Sequence, residues 1–205
     1  IANLALLPLA ILLTPVFLGG GYKREIVLCG APFPNTMAIL VDASASMDGQ
    51  LYQIAVRQAV WVARQAGDEG RAIFFAFRAE PIQDPQGWVK LPDEEALALA
   101  RGFLLHMGTS GGTDIPAAVR AALDLGASPL GVVIVTDGDP HSQPQVITDA
   151  ILAMNKARAI PAVIAWVTID PDAGRNAMSM SVAQATGGAY LRCLTTVTGT
   201  AGAAR

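Results

Sequence analysis

The sequence predicts an α/β protein: a doubly wound, mostly parallel central sheet flanked by helices, with an N-terminal apolar segment in front. Three observations carry this. Four apolar runs, "TMAILVD" (36–42), "AIFFAF" (72–77), "GVVIVTD" (131–137) and "PAVIAWVTI" (161–169), show no polar alternation, which is how parallel strands covered on both faces read. Amphipathic stretches of helical period lie between them. The 205 residues, 52% apolar and 15% charged, suffice for one domain with a sizeable core.

Along the chain, Leu4–Leu18 is 15 residues with no charge, short of the ~20 needed to span hydrocarbon. Counting residues 1–21 brings it into range, with Pro8 and Pro15 as kinks. A membrane anchor, a signal-peptide core, an insertion into a partner and a buried core helix all fit; we expect an anchor, in a membrane or in a partner. Residues 22–35 read as a linker, 36–194 as the domain and 195–205 as a flexible tail. The domain is expected to be membrane-associated and periplasmic or at the cell surface. The cytoplasmic face is the alternative that Lys23 and Arg24 favour if they sit at the headgroups.

After the first strand, "QLYQIAVRQAVWVARQ" carries a stripe of Leu51, Ile54, Ala55, Ala59 and Val62. The run 72–77 follows, then a turn and short edge strand within 81–91. "PDEEALALARGFLLHM" is a helix with acids at its start, as the helix dipole prefers. "IPAAVRAALDL" places Ile115, Ala118, Val119, Ala122 and Leu123 on one face, and "VITDAILAMNKA" does the same with Val146, Ile147, Ala150, Ile151 and Met154. Asp48 and Asp114 stand where N-caps belong. A further helix and a last strand in 187–193 complete the order. Trp61, Trp88 and Trp166 read as core. Cys29 and Cys193 fit no metal-ligand spacing; they meet as a disulfide if the sheet brings them together, and are otherwise separate buried thiols.

Ligands of doubly wound sheets bind beyond the carboxyl ends of the strands, where strand order reverses. The first strand ends in "DASAS" and the run 131–137 in "TDGDP". If these strands are neighbours, Asp42, Ser44, Ser46 and Asp137 converge, and the Gly-rich loop "GTSGGTDIP" (108–116) adds Thr109, Ser110 and Thr113. Carboxylates and hydroxyls without His or Cys suit a hard cation such as Mg²⁺, Mn²⁺ or Ca²⁺. Neutral hydroxyl ligands leave most of the cation's charge uncancelled. That favours recognition of an outside carboxylate over a reaction centre.

"DASAS", the threonine of "GGTD" and "VIVTDG", in that order, resemble the metal-ion-dependent adhesion site of the von Willebrand factor A (vWA) and integrin I domain family. The likeness covers about residues 36–193 and leans toward its bacterial and archaeal branches. It implies Ser44 and Ser46 as direct ligands, Thr113 as a ligand directly or through water, and Asp42 and Asp137 as ligands or holders of coordinated waters. The polar ending "TTVTGTAGAAR" has no helical stripe, so integrin-like signalling through a C-terminal helix is not expected.

The resulting expectation is a metal-dependent protein-protein interaction domain that binds an acidic residue of a partner protein or neighbouring subunit, with membrane contact through residues 1–21. One alternative is a structural subunit of a filament or large complex, with the fold as a packing module. Another is an accessory to an ATP-driven chelatase or chaperone. Asp42 as a plain strand-end cap, with Ser44 and Ser46 as turn formers, is the bland reading. A net charge of −3 gives no footprint for nucleic acid. "GTSGG" matches the nucleophile elbow of hydrolases but follows a helix where a strand is required. An aspartyl phosphatase would want a second acid where Ser44 stands. An enzyme is therefore not expected.

Overall fold

The sheet is built outward from the strand that ends in Asp42. The computed structural model describes residues 26–28, 31–66, 69–138, 143–169 and 176–193. The segment 1–21, Cys29, Asp139, His141 and the tail lie outside them. In chain order the elements are β1 (Ile26–Leu28), β2 (Ala31–Phe33), β3 (Thr36–Asp42), α1 (Gln50–Arg64), β4 (Arg71–Phe77), β5 (Pro81–Gln83), β6 (Val89–Lys90), α2 (Glu94–Met107), α3 (Ile115–Leu123), β7 (Gly131–Thr136), α4 (Pro144–Lys156), β8 (Val163–Thr168), α5 (Ala177–Ala185) and β9 (Tyr190–Arg192).

The main sheet runs β5-β4-β3-β7-β8-β9, with β6 also on β4. Strands β4, β3, β7, β8 and β9 are parallel, while β5 and β6 pair antiparallel with β4. The single edge strand read from 81–91 is thus two short ones. Order reverses between β3 and β7, so the predicted neighbours are neighbours. Side chains alternate across each strand, and the two faces have separate cores. Met37, Ile39 and Val41 pack with α1 and α2; Ala38 and Leu40 pack with α3, α4 and α5.

The α3 stripe is buried as its spacing predicts. On α1 the buried face is rotated: Tyr52, Val56 and Val60 are buried while Leu51 and Ile54 are half-buried. Val146, assigned to the α4 stripe, is 60% exposed, because the buried face of α4 is centred on Thr148, Ile151 and Asn155, one position round from the stripe. Of the tryptophans, Trp166 is buried, Trp61 is 40% exposed on the outer side of α1, and Trp88 stacks under the Arg71 guanidinium. Residues read as linker contribute the β1–β2 hairpin. Its Phe33 ring occupies the space a side chain at Gly131 would need. Cys193 is a free, half-buried thiol beside the end of β9. Among the described residues no helix is long and apolar enough to cross a membrane.

Gly188 leads into β9, and a Cβ there would lie 1.9 Å from the Ile164 carbonyl oxygen. Backbone cannot yield as a flexible side chain does, so Gly188→Ala should cost about 2 to 3 kcal/mol in urea unfolding. Gly102, inside α2 with open space around it, should respond the other way. Gly102→Ala should stabilise by about 0.5 to 1 kcal/mol through helix propensity alone. Equal effects of the two substitutions would contradict the close packing of Gly188 against the β8 backbone.

Candidate metal centre

Asp42 ends β3 with 1% exposure, and both its carboxylate oxygens are engaged. Oδ1 accepts from the Ser44 backbone N–H at 2.8 Å; Oδ2 accepts from the Thr136 hydroxyl at 2.7 Å. The first bond closes a turn that reverses the chain as soon as the strand ends. The second crosses from β3 to β7 at the point where strand order reverses. Thr136 was not singled out from the sequence. The signal lay in register: Val41 pairs with Val135, which puts the next residues, Asp42 and Thr136, side by side on one face.

The apolar residues in and just after "DASAS" anchor its turn. Ala43 and Met47 are fully buried and plug the loop into the core, while Ala45 is exposed. Ser44 is extended, and a 3-10 turn over Ala45–Met47 follows. That turn brings Ser46 back over Ser44, with the two hydroxyl oxygens 3.0 Å apart. Ser44 is buried and Ser46 exposed, so the pair runs from the sheet edge to solvent.

The Gly-rich loop is laced onto this turn. The Ser110 N–H donates to the Ala43 carbonyl at 2.9 Å, and the Ala45 N–H donates to the Gly111 carbonyl at 3.1 Å. Gly108 and Gly111 have φ of 59° and 70°, a region glycine enters without cost. Asp48 is not the N-cap of α1 as the sequence suggested; Gly49 holds that position. The Asp48 carboxylate instead accepts from the Gly49 N–H at 2.7 Å and from the Thr109 hydroxyl at 3.1 Å, a second tie between the loops. Asp114 does cap α3, accepting from the Ala117 N–H at 2.9 Å.

Asp42, Ser44 and Ser46 are thus joined directly. Asp137, half-buried just past β7, is joined less tightly: the Thr136 hydroxyl lies 3.5 Å from its Oδ1. Thr113 is exposed in the same loop as Gly111, and no hydrogen bond joins its hydroxyl to the other four among the described residues. Burial raises the Asp42 carboxyl above its ordinary value; bonds from Ser44 and Thr136 oppose this, and the nearby Asp137 charge adds to it. The hydroxyl of Ser110, in the elbow-like "GTSGG", is within 2.7 Å of Arg78 Nη1, and the element before it is helix α2.

The donor set fits a small hard cation. All five groups offer oxygen, and two hydroxyls 3.0 Å apart match an edge of an octahedron with metal–oxygen bonds of about 2.1 Å, which is about 3.0 Å. Among the described residues no group of three or more His, Cys, Asp or Glu could hold a metal, so a soft or high-charge ligand set is absent there.

No protein-family model and no curated protein matches the chain. Solved structures match by shape. A von Willebrand factor type A protein from Catenulispora acidiphila superposes with a TM-score of 0.59 at 20% identity, over 80% of this chain and 39% of that one. The fold is vWA-like. The SpRpn10 VWA domain gives 0.58 at 11% identity, over 77% of this chain and 87% of that one. The PilB minor pilin from Streptococcus sanguinis gives 0.62 at 12% identity, over 85% and 59%. The chain therefore spans less than two thirds of the first and last of these. At such identities the likeness is one of fold, and a vWA-like sheet places its Asp42 edge at the reversal of strand order.

The raised Asp42 carboxyl fixes the sign of a pH effect in metal-free protein. A carboxyl whose folded pKa lies above its unfolded value adds stability when protonated, below about 3.8, and that stability is lost as pH rises through the folded value. Asp42→Asn removes the titration. Followed by urea unfolding in EDTA from about pH 3.5 to about pH 7, the difference between variant and wild type should move steadily in the variant's favour. A difference that does not change with pH would mean that the carboxylate remains hydrated.

Proposed function

We propose that this chain is a metal-dependent protein-protein interaction domain. A Mg²⁺-type ion (Mn²⁺ and Ca²⁺ fit the same oxygens) would be held by Ser44, Ser46 and Thr113, with Asp42 and Asp137 ligating or holding its waters. When bound, the cation supplies an uncancelled positive charge with an open coordination position. The protein's own part is to aim the hydroxyls, keep Asp42 behind them and present the site at the sheet's edge. The ligand that chemistry selects is a carboxylate from a partner protein or a neighbouring subunit. The observation that supports this most is the Ser44–Ser46 hydroxyl pair at 3.0 Å over a buried carboxylate. We place the work in binding, not catalysis, and assign residues 1–21 as the anchor to a membrane or partner.

A second reading has support of its own. The similarity of fold to a minor pilin favours a subunit of a surface assembly, in which the ion would staple one subunit to the next.

Thermal and urea unfolding of the whole chain with and without Mg²⁺ or Mn²⁺ tests the site. A ligand that binds only the folded state stabilises it by about 2.7 kcal/mol at a hundredfold excess over its dissociation constant. The wild type should gain on this scale, and Asp42→Ala and Ser44→Ala should lose the gain. No metal response in the wild type, at millimolar concentrations, would overturn the reading. Where the ion carries a carboxylate contact, EDTA should also release a captured partner; under the stapling reading it should dissociate the assembly.

A further inference from the structure

Arg78 follows β4 and touches none of the candidate ligands, yet it holds the loop 108–114 at both ends. Its Nη2 donates to the Met107 carbonyl, and the Gly108 carbonyl lies 3.5 Å away. Its Nη1 donates to the Ser110 hydroxyl at 2.7 Å. Its own carbonyl accepts from the Asp114 N–H at 2.7 Å, beyond Thr113. The loop between these points contains Gly108, Gly111 and Gly112, with the first and second at positive φ. Such a backbone is free to adopt many other shapes. Met107 and Gly108 also end α2, whose last carbonyls have no partner within the helix.

We infer that Arg78 is a positioning residue for the cation site: its guanidinium fork and its carbonyl fix the Gly-rich loop so that Thr113 is presented to Ser44 and Ser46. The consequence for metal rests on the cation reading above; the consequence for the loop does not. The planar fork matters because three acceptors on one loop are met by two nitrogens in fixed relation. A lysine offers a single point charge and cannot span them. Outer-shell groups of this kind tune metal affinity by about 10–100-fold when removed.

The test uses the full chain as wild type, Arg78→Lys and Arg78→Met, with Thr113→Ala and Asp42→Ala beside them. Amide hydrogen exchange in metal-free protein reads the loop, through the Ser110 and Asp114 amides. Mn²⁺ titration followed by electron paramagnetic resonance reads the affinity. In Arg78→Met the Ser110 amide should exchange at least tenfold faster, the Asp114 amide, whose acceptor is the retained carbonyl of residue 78, should quicken less, and Mn²⁺ should bind about ten- to a hundredfold more weakly. The β3 and β7 amides, and the unfolding midpoint of Arg78→Lys, should change little. Arg78→Lys should fall between the wild type and Arg78→Met in both readouts. Unchanged Ser110 and Asp114 exchange in both variants would overturn the inference, and so would faster exchange with Mn²⁺ affinity equal to wild type. If the wild type binds no Mn²⁺, the cation reading fails, and the exchange arm alone decides whether Arg78 positions the loop.

Discussion

The site depends on the bond between Asp42 and Thr136. A carboxylate with 1% exposure at the end of a central strand must be satisfied or it destabilises the fold. Asp42 is satisfied from two directions at once. The Ser44 N–H forces the chain to turn immediately, and the Thr136 hydroxyl ties that turn to the next strand. Because both bonds come from backbone or short side chains, the turn has little freedom left. The Ser44–Ser46 pair inherits that rigidity through a single 3-10 turn.

The same constraint shapes the chemistry. Each oxygen of Asp42 already accepts one hydrogen bond, so the carboxylate can take further bonds, from water, without moving. A direct metal bond would use one of the lone pairs that Ser44 and Thr136 leave free. The hydroxyls of buried Ser44 and exposed Ser46 keep lone pairs to spare. On the proposed reading, a cation seated on them would meet neutral oxygens first and negative charge behind, and so would be attracted to the site while keeping charge to offer outward. The Asp48 and Asp137 carboxylates lie on this edge, and the Arg78 guanidinium is held on the Gly-rich loop beside it. A bound cation would add positive charge to a face of mixed sign as well as complete a coordination shell.

Most of the sheet was legible in the sequence because its strands are buried on both sides, so the four runs are continuous and apolar. The α3 stripe was legible because a helix packed along its whole length shows its period in full. The failures have physical causes too. Val146 obeys the apolar period, but the face of α4 that is buried includes the polar Thr148 and Asn155, which the apolar pattern passes over. Tyr52 stands outside the stripe read on α1, yet its hydroxyl reaches the Leu104 carbonyl at 2.6 Å and fastens α1 to α2; burial keeps that phenol neutral, with its pKa pushed up to about 12. Asp48 has the composition of an N-cap, but the turn into α1 gives that place to Gly49 and turns the carboxylate toward Thr109. The D-x-S-x-S spacing located Asp42, Ser44 and Ser46 because their geometry is local. Thr136 and Arg78 were missed because their roles arise only from the pairing of distant strands and loops.

That division between local and long-range parts bears on how such a site is built. The two serines need only a buried Asp and a turn, which five consecutive residues supply. Thr113 lies on a loop with three glycines in six residues, 108–113, whose ordering costs entropy with every glycine fixed. The bonds that offset that cost run from Ala43, Ala45, Asp48 and Arg78, four residues on two other segments. Three of these four lie within six positions of Asp42. The turn that carries the serines therefore also organises the loop that carries the threonine, and a disturbance of Asp42 reaches all the hydroxyls at once. Arg78 stands outside that turn, so through it the loop can be loosened while the serine pair stays in place.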